Sequence, residues 1–552
     1  MFRKNNSHLQ ERLFDDFQHL HPSQQKRLMA SWAPIFYEHV FSQIDEAPFA
    51  PLYSADNGRP NFPINILLSL EFYKHWQDLT DEQLLEQASF NYQVMYAIGL
   101  RNLGEEYVAP RTLYDFRSRV HRHMLDNPES GDLIFGQFNN LTTHFIEETG
   151  AKTDEQRTDS SFVTANIQRM YRIGLIFDVL FHAIESCPET FLTDELKEVL
   201  KPTFKTNVLY RTRPSTAQER IESLLNLGQQ LLDIKKANQE IADCKTFDLL
   251  ERLLKEQGIW NEEQQKWDAK LSKNISPDSL QSAHDPDATY RHKGNRDSVG
   301  YVANITETCS KENQAQFVTD YTIEPNTTTD VDMLNDRLPD IKKRTGVEKM
   351  YTDGGYYSET VDQTAKQTEV EMLYSSLTGK EPNPDRIPYT AFEIEDRQII
   401  KACPEQYKAQ RATFNEKDKT LSAHFDLETC RNCPHLEQCP VKLQKKDAVV
   451  RVSQKTILAD ETRQKLANGG QQENTSRRTA IEGTNSALKR SQGLGKLAVR
   501  GKHKVSAVVG LKIIGHNFQQ FITYLARKTK ETIKQVATSF PTTPPQGVSL
   551  SF

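Results

Sequence analysis

No stretch of this 552-residue chain approaches the ~18 consecutive apolar residues of a membrane-spanning helix. No membrane is therefore expected among its partners. The opening run MFRKNNSHLQERLFDDF lacks the apolar centre of a secretory signal. Cysteine is scarce, and seven in so long a chain do not read as a disulfide framework. These absences predict a reduced, cytoplasmic protein. Charge of one sign is scarce too: the net charge is −6, which does not announce a nucleic-acid binder. The average conceals an uneven distribution. Thr475 to Lys530 holds twelve Lys or Arg and one acid, Glu482. Such a segment is expected of a local phosphate-binding surface; the plain alternative is a solvated, Lys-rich helix.

An apolar fraction of 37% supports cores at the polar end of the usual range, and the length predicts more than one domain. Residues 1–150 read as helical. Thr80 is an N-cap with Gln83 three residues on, as in a capping box. The helix APRTLYDFRSRVHRHML carries Arg111, Arg117, Arg119, His121, Arg122 and His123, a face suited to DNA or simply to solvent. Residues 165–275 again read as helical, an insertion whose long apolar stripe predicts core, with a dimer seam as the alternative. Strand patterns follow at SVGYVANITETC and AQFVTDYTIEP, then helix, strand, helix and strand to residue 375. With the strand-like segment around Asp159, this predicts a mixed five-stranded sheet covered by helices. Residues 376–450 form a Pro-rich, Cys-bearing insertion, and residues 451–535 are helical in part, with a break at Gly469 and Gly470. The tail, 536–552, is rich in Pro, Ser and Thr and is expected to be disordered.

Three acids stand in distinctive contexts: Asp159 in RTDSSFV, Asp353 in MYTDGGYYSE and Glu482 in SRRTAIEGTNSALKR. Asp353 ends a strand, where open α/β sheets usually place their sites. On a helix, Arg478, Glu482 and Lys489 fall within about 40° of one another, so acid and base share one face. A surface salt bridge explains that spacing equally well. Together, three carboxylates can hold two Mg²⁺ or Mn²⁺ ions ~3.5–4 Å apart against a phosphodiester. Cys430, Cys433 and Cys439 lie in CRNCPHLEQCP, and Cys403 in KACPEQ is a natural fourth member. This is the spacing of a structural Zn²⁺ site that could hold a polar insertion lacking its own core; His424 or His435 could replace one ligand. Arg291, His292, Lys293 and Arg296 suit a loop touching phosphates, although any exposed loop has that composition.

These motifs resemble the DDE transposases of bacterial insertion sequences, in the branch with a cysteine-rich insertion. TDSSFV and YTDGGYYS correspond to the first two catalytic acids, and RRTAIEGTNSALKR to the Arg, Glu, Lys signature on Arg478, Glu482 and Lys489. The segment from LYSADNGRP to RTLYDFRSRV is similar to the family's N-terminal helical domain, and VRGKHKVSAVVGLKIIGHNFQQFI to its C-terminal helices. The signature often carries a Tyr three residues before its Arg; Thr475 stands there. The resemblance implies an α/β RNase H-like catalytic core interrupted by both insertions and preceded by an all-α domain for DNA binding or dimerisation. It implies catalytic, metal-holding Asp159, Asp353 and Glu482, with Arg478 and Lys489 of the signature as DNA contacts; basic composition adds Arg490, Arg111, Arg291, Lys293 and Arg296 as further candidates. It also implies terminal inverted repeats and target DNA as partners, a homodimer or larger synaptic complex, and a nucleoid-associated location. A domesticated copy that binds DNA without cutting, and a nuclease that cuts without joining, are the alternatives.

Overall fold

β1 (Glu155–Val163) is mostly polar, yet that strand lies in the middle of the main sheet. The computed structural model describes residues 1–10, 15–167, 170–241, 244–377 and 383–539. The sheet's other strands are β2 (Thr289–Lys293), β3 (Arg296–Thr308), β4 (Val318–Pro325), β5 (Lys349–Thr352) and β6 (Glu371–Tyr374). Its body runs β4-β3-β1-β5-β6. β1 pairs antiparallel with β3, Asp159 opposite Ile305, and parallel with β5. The expected five strands are therefore present in a mixed sheet.

β2 is a sixth strand, and it corrects the reading of residues 291–296 as a loop. The chain turns at Gly294 (φ +62) into a tight hairpin whose ladder pairs Lys293 with Arg296. Across it Asp297 accepts from the Tyr290 hydroxyl at 2.7 Å and pairs with His292 at 2.7 Å.

Before the sheet come α1 (Ile64–Gln77), α2 (Asp81–Phe90), α3 (Pro110–Asp126) and α4 (Leu133–Thr149), after several shorter helices. The Thr80–Gln83 capping box starts α2 as expected. These helices do not enclose a core of their own. Phe36, Phe72, Phe138 and Phe145 join one apolar cluster with Phe317 and Tyr321 near the sheet and with Phe518 and Phe521. The last two belong to α12, introduced below.

Between β1 and β2 lie α5 (Arg172–Glu185), α6 (Ala217–Ala237) and α7 (Lys245–Gln257), which bury Phe177, Leu225, Leu250 and Leu254 in a separate cluster. The all-helical expectation fails at the end of this stretch. Gly258–Asn261 and Lys266–Ala269 form a hairpin, with Trp260 edge-on to Trp267 and Asn261 capping the turn. Cross-strand aromatic packing outweighs the helical pattern there.

α8 (Asp330–Thr345) and α9 (Glu359–Gln367) cover β5 and β6. The cysteine-bearing insertion carries a small antiparallel sheet, β7 (Arg411–Asn415), β8 (Thr420–Phe425) and β9 (Ala448–Ser453). It has a core of its own, Phe392, Ile400, Leu421, Phe425, Val450 and Val452, contrary to expectation. β8 and β9 supply Leu421, Phe425, Val450 and Val452 of it.

α10 (Gln454–Lys465), α11 (Gln471–Ser491) and α12 (Lys502–Ser539) complete the chain. Gly469 and Gly470 do not interrupt the helix; a π-helical turn, Leu466–Gly470, carries α10 into α11. The disordered-tail expectation fails for 536–539, because α12 runs to Ser539; the rest of that tail lies outside the described residues.

α11 is fastened across β1 by buried charge. Arg157 Nε donates to Glu307 Oε1 at 2.6 Å, and the Thr484 hydroxyl donates to Glu307 Oε2 at 2.8 Å. Burial pushes the Glu307 carboxyl above its ordinary range, with Arg157 and Thr484 opposing. Arg157→Met would leave that acid buried without its cation. The expected cost is about 3–5 kcal/mol in chemical denaturation, much of it recovered in Arg157→Met/Glu307→Leu. Unchanged stability in the single variant would contradict the fastening.

Candidate active site

Period two along β1 aims Glu155, Arg157 and Asp159 at the same side, and α11 crosses that side. Arg477 pairs with Glu155 at 2.9 Å, and Arg157 Nη1 donates to the Arg477 carbonyl at 2.9 Å. Arg478 Nη2 donates to Asp159 Oδ1 at 3.2 Å. Ile481 and Leu488 are buried on the neighbouring stripe of the helix. Farther along, Asn474 donates to the Tyr374 carbonyl at 3.0 Å and Thr475 to the Ser375 carbonyl at 3.4 Å. Thr475, in the position often held by Tyr, thus holds the helix against the end of β6.

The other face of β1 is locked by buried hydroxyls and amides. Thr158 donates to Asn304 Oδ1 at 3.0 Å, and the fully buried Tyr356 donates to the same oxygen at 2.7 Å. Tyr356 belongs to the turn that follows Asp353, so this network ties the two aspartates' backbones together. Asp353 caps the turn itself: its Oδ1 accepts from Gly355 N–H at 2.8 Å. A Cβ on Gly355 would sit 2.9 Å from that oxygen, so a side chain there would push the Asp353 carboxylate aside.

The three acids converge on one guanidinium. Arg478 lies 3.2 Å from Asp159, 3.6 Å from Asp353 and 2.8 Å from Glu482. Side-chain exposure rises from 14% at Asp159 through 36% at Asp353 to 56% at Glu482, which gives the cluster a floor and a mouth. Burial pushes the Asp159 carboxyl above its ordinary value; Arg478 opposes and the Asp353 charge adds. Burial works to lower the Arg478 pKa, and Asp159 and Asp353 overturn it, leaving it raised.

Asn485 went unnoticed in the sequence. Its amide lies 3.4 Å from Asp159 Oδ2, and its own Oδ1 is buried without a partner. It stands seven residues after Arg478, two helical turns along one face, and that spacing was the signal. The donor set fits hard divalent cations: three carboxylates within reach of one positive group, beside an unpartnered amide oxygen.

The other basic residues divide. Lys489 and Arg490 are exposed; desolvation of the Lys489 ammonium lowers its pKa, and Asp159 opposes that. Arg111 is exposed and pairs with Asp115 at 3.5 Å. Arg117, by contrast, is spent inside, on Glu71 and Asp81. Arg291 donates to the Asn326 carbonyl at 3.0 Å, and Arg291 and Lys293 stand over the ring of Phe162, three residues after Asp159. Arg296 sits at the hairpin turn; its side chain lies outside the described residues.

Cys403, Cys430, Cys433 and Cys439 line one cavity with Phe392, Phe425, His435 and Val441. Burial, then the neighbouring Cys439, Cys403 and Cys433, pushes the Cys430 thiol up to about 11. The four thiols suit Zn²⁺. His424 is committed to Asp447 at 2.6 Å, whereas His435 lines the cavity and meets Glu405 at 3.2 Å.

Two stretches of the chain match known families. Residues 402–522 match the Transposase DDE domain, and residues 20–119 match the Transposase domain (DUF772). The first match includes Glu482 and the four clustered cysteines; Asp159 and Asp353 lie outside both. No curated protein and no solved structure matches the chain.

Two outcomes follow from this geometry. Asp159 takes up a proton at higher pH than the ordinary value of 3.8. Protons therefore compete with cations there, and Mn²⁺ affinity should begin to fall at a pH above that value as the solution is acidified. Titration followed by the spectrum of free Mn²⁺ reads this, and affinity indifferent to pH would refute it. Cys433→Ser should lower the melting temperature and the Zn²⁺ content; unchanged metal content would dismiss the cysteine site.

Proposed function

From a chain that belongs to the insertion-sequence DDE transposases, we propose an enzyme that binds its element's terminal inverted repeats, cleaves at them and joins the freed ends to target DNA. The convergence of Asp159, Asp353 and Glu482 on Arg478 carries this reading. The sheet order is compatible with an RNase H-like core, which supports it.

Asp159, Asp353 and Glu482 would hold two Mg²⁺ or Mn²⁺ ions, whose chemistry is to activate an attacking oxygen and stabilise a leaving one. The protein's own groups bind and orient. Arg478, Lys489 and Arg490 would offer donors to the phosphodiester; Arg gives it two parallel N–H groups, Lys a point charge. Arg111, Arg291, Lys293 and Arg296 would extend the phosphate contact. Water attacks phosphorus first and leaves a 3′-OH. That hydroxyl then attacks a target phosphodiester and displaces its 3′ oxygen. Neither step needs a covalent bond from protein to DNA.

The cysteine insertion, residues 376–450, would carry a structural Zn²⁺, and residues 1–150 would contribute to DNA binding or dimerisation. Two ends must be held at once for joining, so a homodimer or larger complex on the bacterial nucleoid is the working assembly.

The test is cleavage of a duplex bearing the element's own terminal repeat, in Mg²⁺ and in EDTA. Wild type should give metal-dependent 3′-OH ends and, with target DNA added, joined products. Glu482→Gln and Asp353→Asn should bind the duplex and lose cutting by several orders of magnitude. Binding without cutting by wild type would favour a domesticated protein, and cutting without joining would favour a nuclease.

A further inference from the structure

We propose a transition-metal site, of Zn²⁺ type, in the helical insertion, built from Asp178, His182 and His284 and supported by Glu185. Asp178 and His182 stand one turn apart on α5, and His284 lies in the segment between α7 and β2. One ligand atom from each of the three residues lies within 4.8 Å of the other two. Asp178 Oδ1 is 3.9 Å from His182 Nε2, and Asp178 Oδ2 is 3.6 Å from His284 Nε2. The two imidazole rings are 5.0 Å apart between centroids. Tetrahedral Zn²⁺ with bonds of ~2.0–2.1 Å needs ligand atoms roughly 3.3–3.4 Å apart, so small rotamer adjustments would close the set.

The fourth carboxylate is placed to orient a ligand. His182 Nδ1 lies 3.2 Å from Glu185 Oε2. With Nδ1 donating its proton to Glu185, Nε2 is left with its lone pair on the Asp178 side. This carboxylate–histidine arrangement fixes the tautomer of metal-binding imidazoles. Two imidazoles and a carboxylate favour Zn²⁺ over Mg²⁺, which demands oxygen, and over thiolate-selecting ions. A cavity lined by His182, Glu185, Ser186, Thr246 and His284 adjoins the cluster, leaving room for a water as fourth ligand.

The position gives such an ion a mechanical consequence. The residue after His284 is Asp285, fully buried, which accepts from the Tyr301 hydroxyl of β3 and from Gly501 N–H just before α12. An ion shared by α5 and His284 would clamp the helical insertion to a segment already pinned to the sheet. The donors are distinct from the acid triad and from the cysteine cluster.

The experiment uses the full-length chain, stripped with a chelator and dialysed against Zn²⁺. Metal per chain is counted by mass spectrometry and melting is followed with and without Zn²⁺. Cys433→Ser should retain one equivalent that His284→Gln and Asp178→Asn each lose. With Co²⁺ in the Cys433→Ser protein, visible d–d absorption without thiolate charge transfer should appear, and should vanish when His284→Gln is added. Circular dichroism in chelator checks that each variant folds, and Asp178→Asn stands in should His284→Gln fail. Zn²⁺ stoichiometry and Zn²⁺-dependent melting equal to wild type in the folded variants would overturn the site.

Discussion

One buried ion pair governs the geometry on which the rest depends. Arg157 and Glu307 face each other across β1 and β3, with almost no solvent exposure. Such a pair contributes little net stability, because desolvation offsets much of the attraction. What it does is specify. Arg157 also reaches the Arg477 carbonyl, and Glu307 accepts from Thr484, so the pair recognises α11 at two points separated by about two turns. A helix held at two points by buried polar groups cannot slide or roll without leaving a charge unsatisfied. Glu482 is set at the mouth of the acid cluster by that constraint, and by no contact of its own with the sheet among those described.

The acids are a second, opposing constraint. Three carboxylates gathered in part out of water repel one another; burial first, and the Asp353 charge after it, raise the Asp159 pKa against the pull of Arg478. Arg478 offsets the repulsion by lying among all three. The same guanidinium that offsets part of the cluster's charge is a phosphate ligand by chemistry. One guanidinium against three carboxylates leaves the cluster net negative, and any ligand that supplies positive charge to the acids frees a donor for a phosphate. Arg117 has another use: it is consumed by Glu71 and Asp81, although in sequence its helix suited DNA or solvent.

Local chemistry was legible where it was self-contained. Asp353 follows a short apolar strand and precedes Gly-Gly, and the structure has that turn, with Asp353 capping Gly355. Arg478, Glu482 and Lys489 could be put on one face by arithmetic alone. Thr80 and Gln83 cap a helix in isolation, so their pattern carried through. What depended on partners distant in the chain was not legible. Arg157 and Glu307 are separated by 150 residues, and neither is unusual in its own segment. Asn485 is one amide among many until Asp159 lies beside it. The β2–β3 hairpin was hidden because its residues are polar and its stability comes from pairing, and the core of the cysteine insertion because its apolar residues are spread over short strands. Gly469 and Gly470 looked like a break, yet a π-turn lets the helix continue.

The central claim is that Asp159, Asp353 and Glu482 form one divalent-cation site because α11 is fastened across β1. Replacing Mg²⁺ with Fe²⁺ and adding ascorbate and peroxide generates hydroxyl radicals at the bound ion, which cut the nearest backbone. Mass spectrometry of the fragments should find three clusters of cuts, around residues 159, 353 and 482, all suppressed by excess Mg²⁺. Cuts confined to one of those segments, or insensitive to Mg²⁺, would contradict the account.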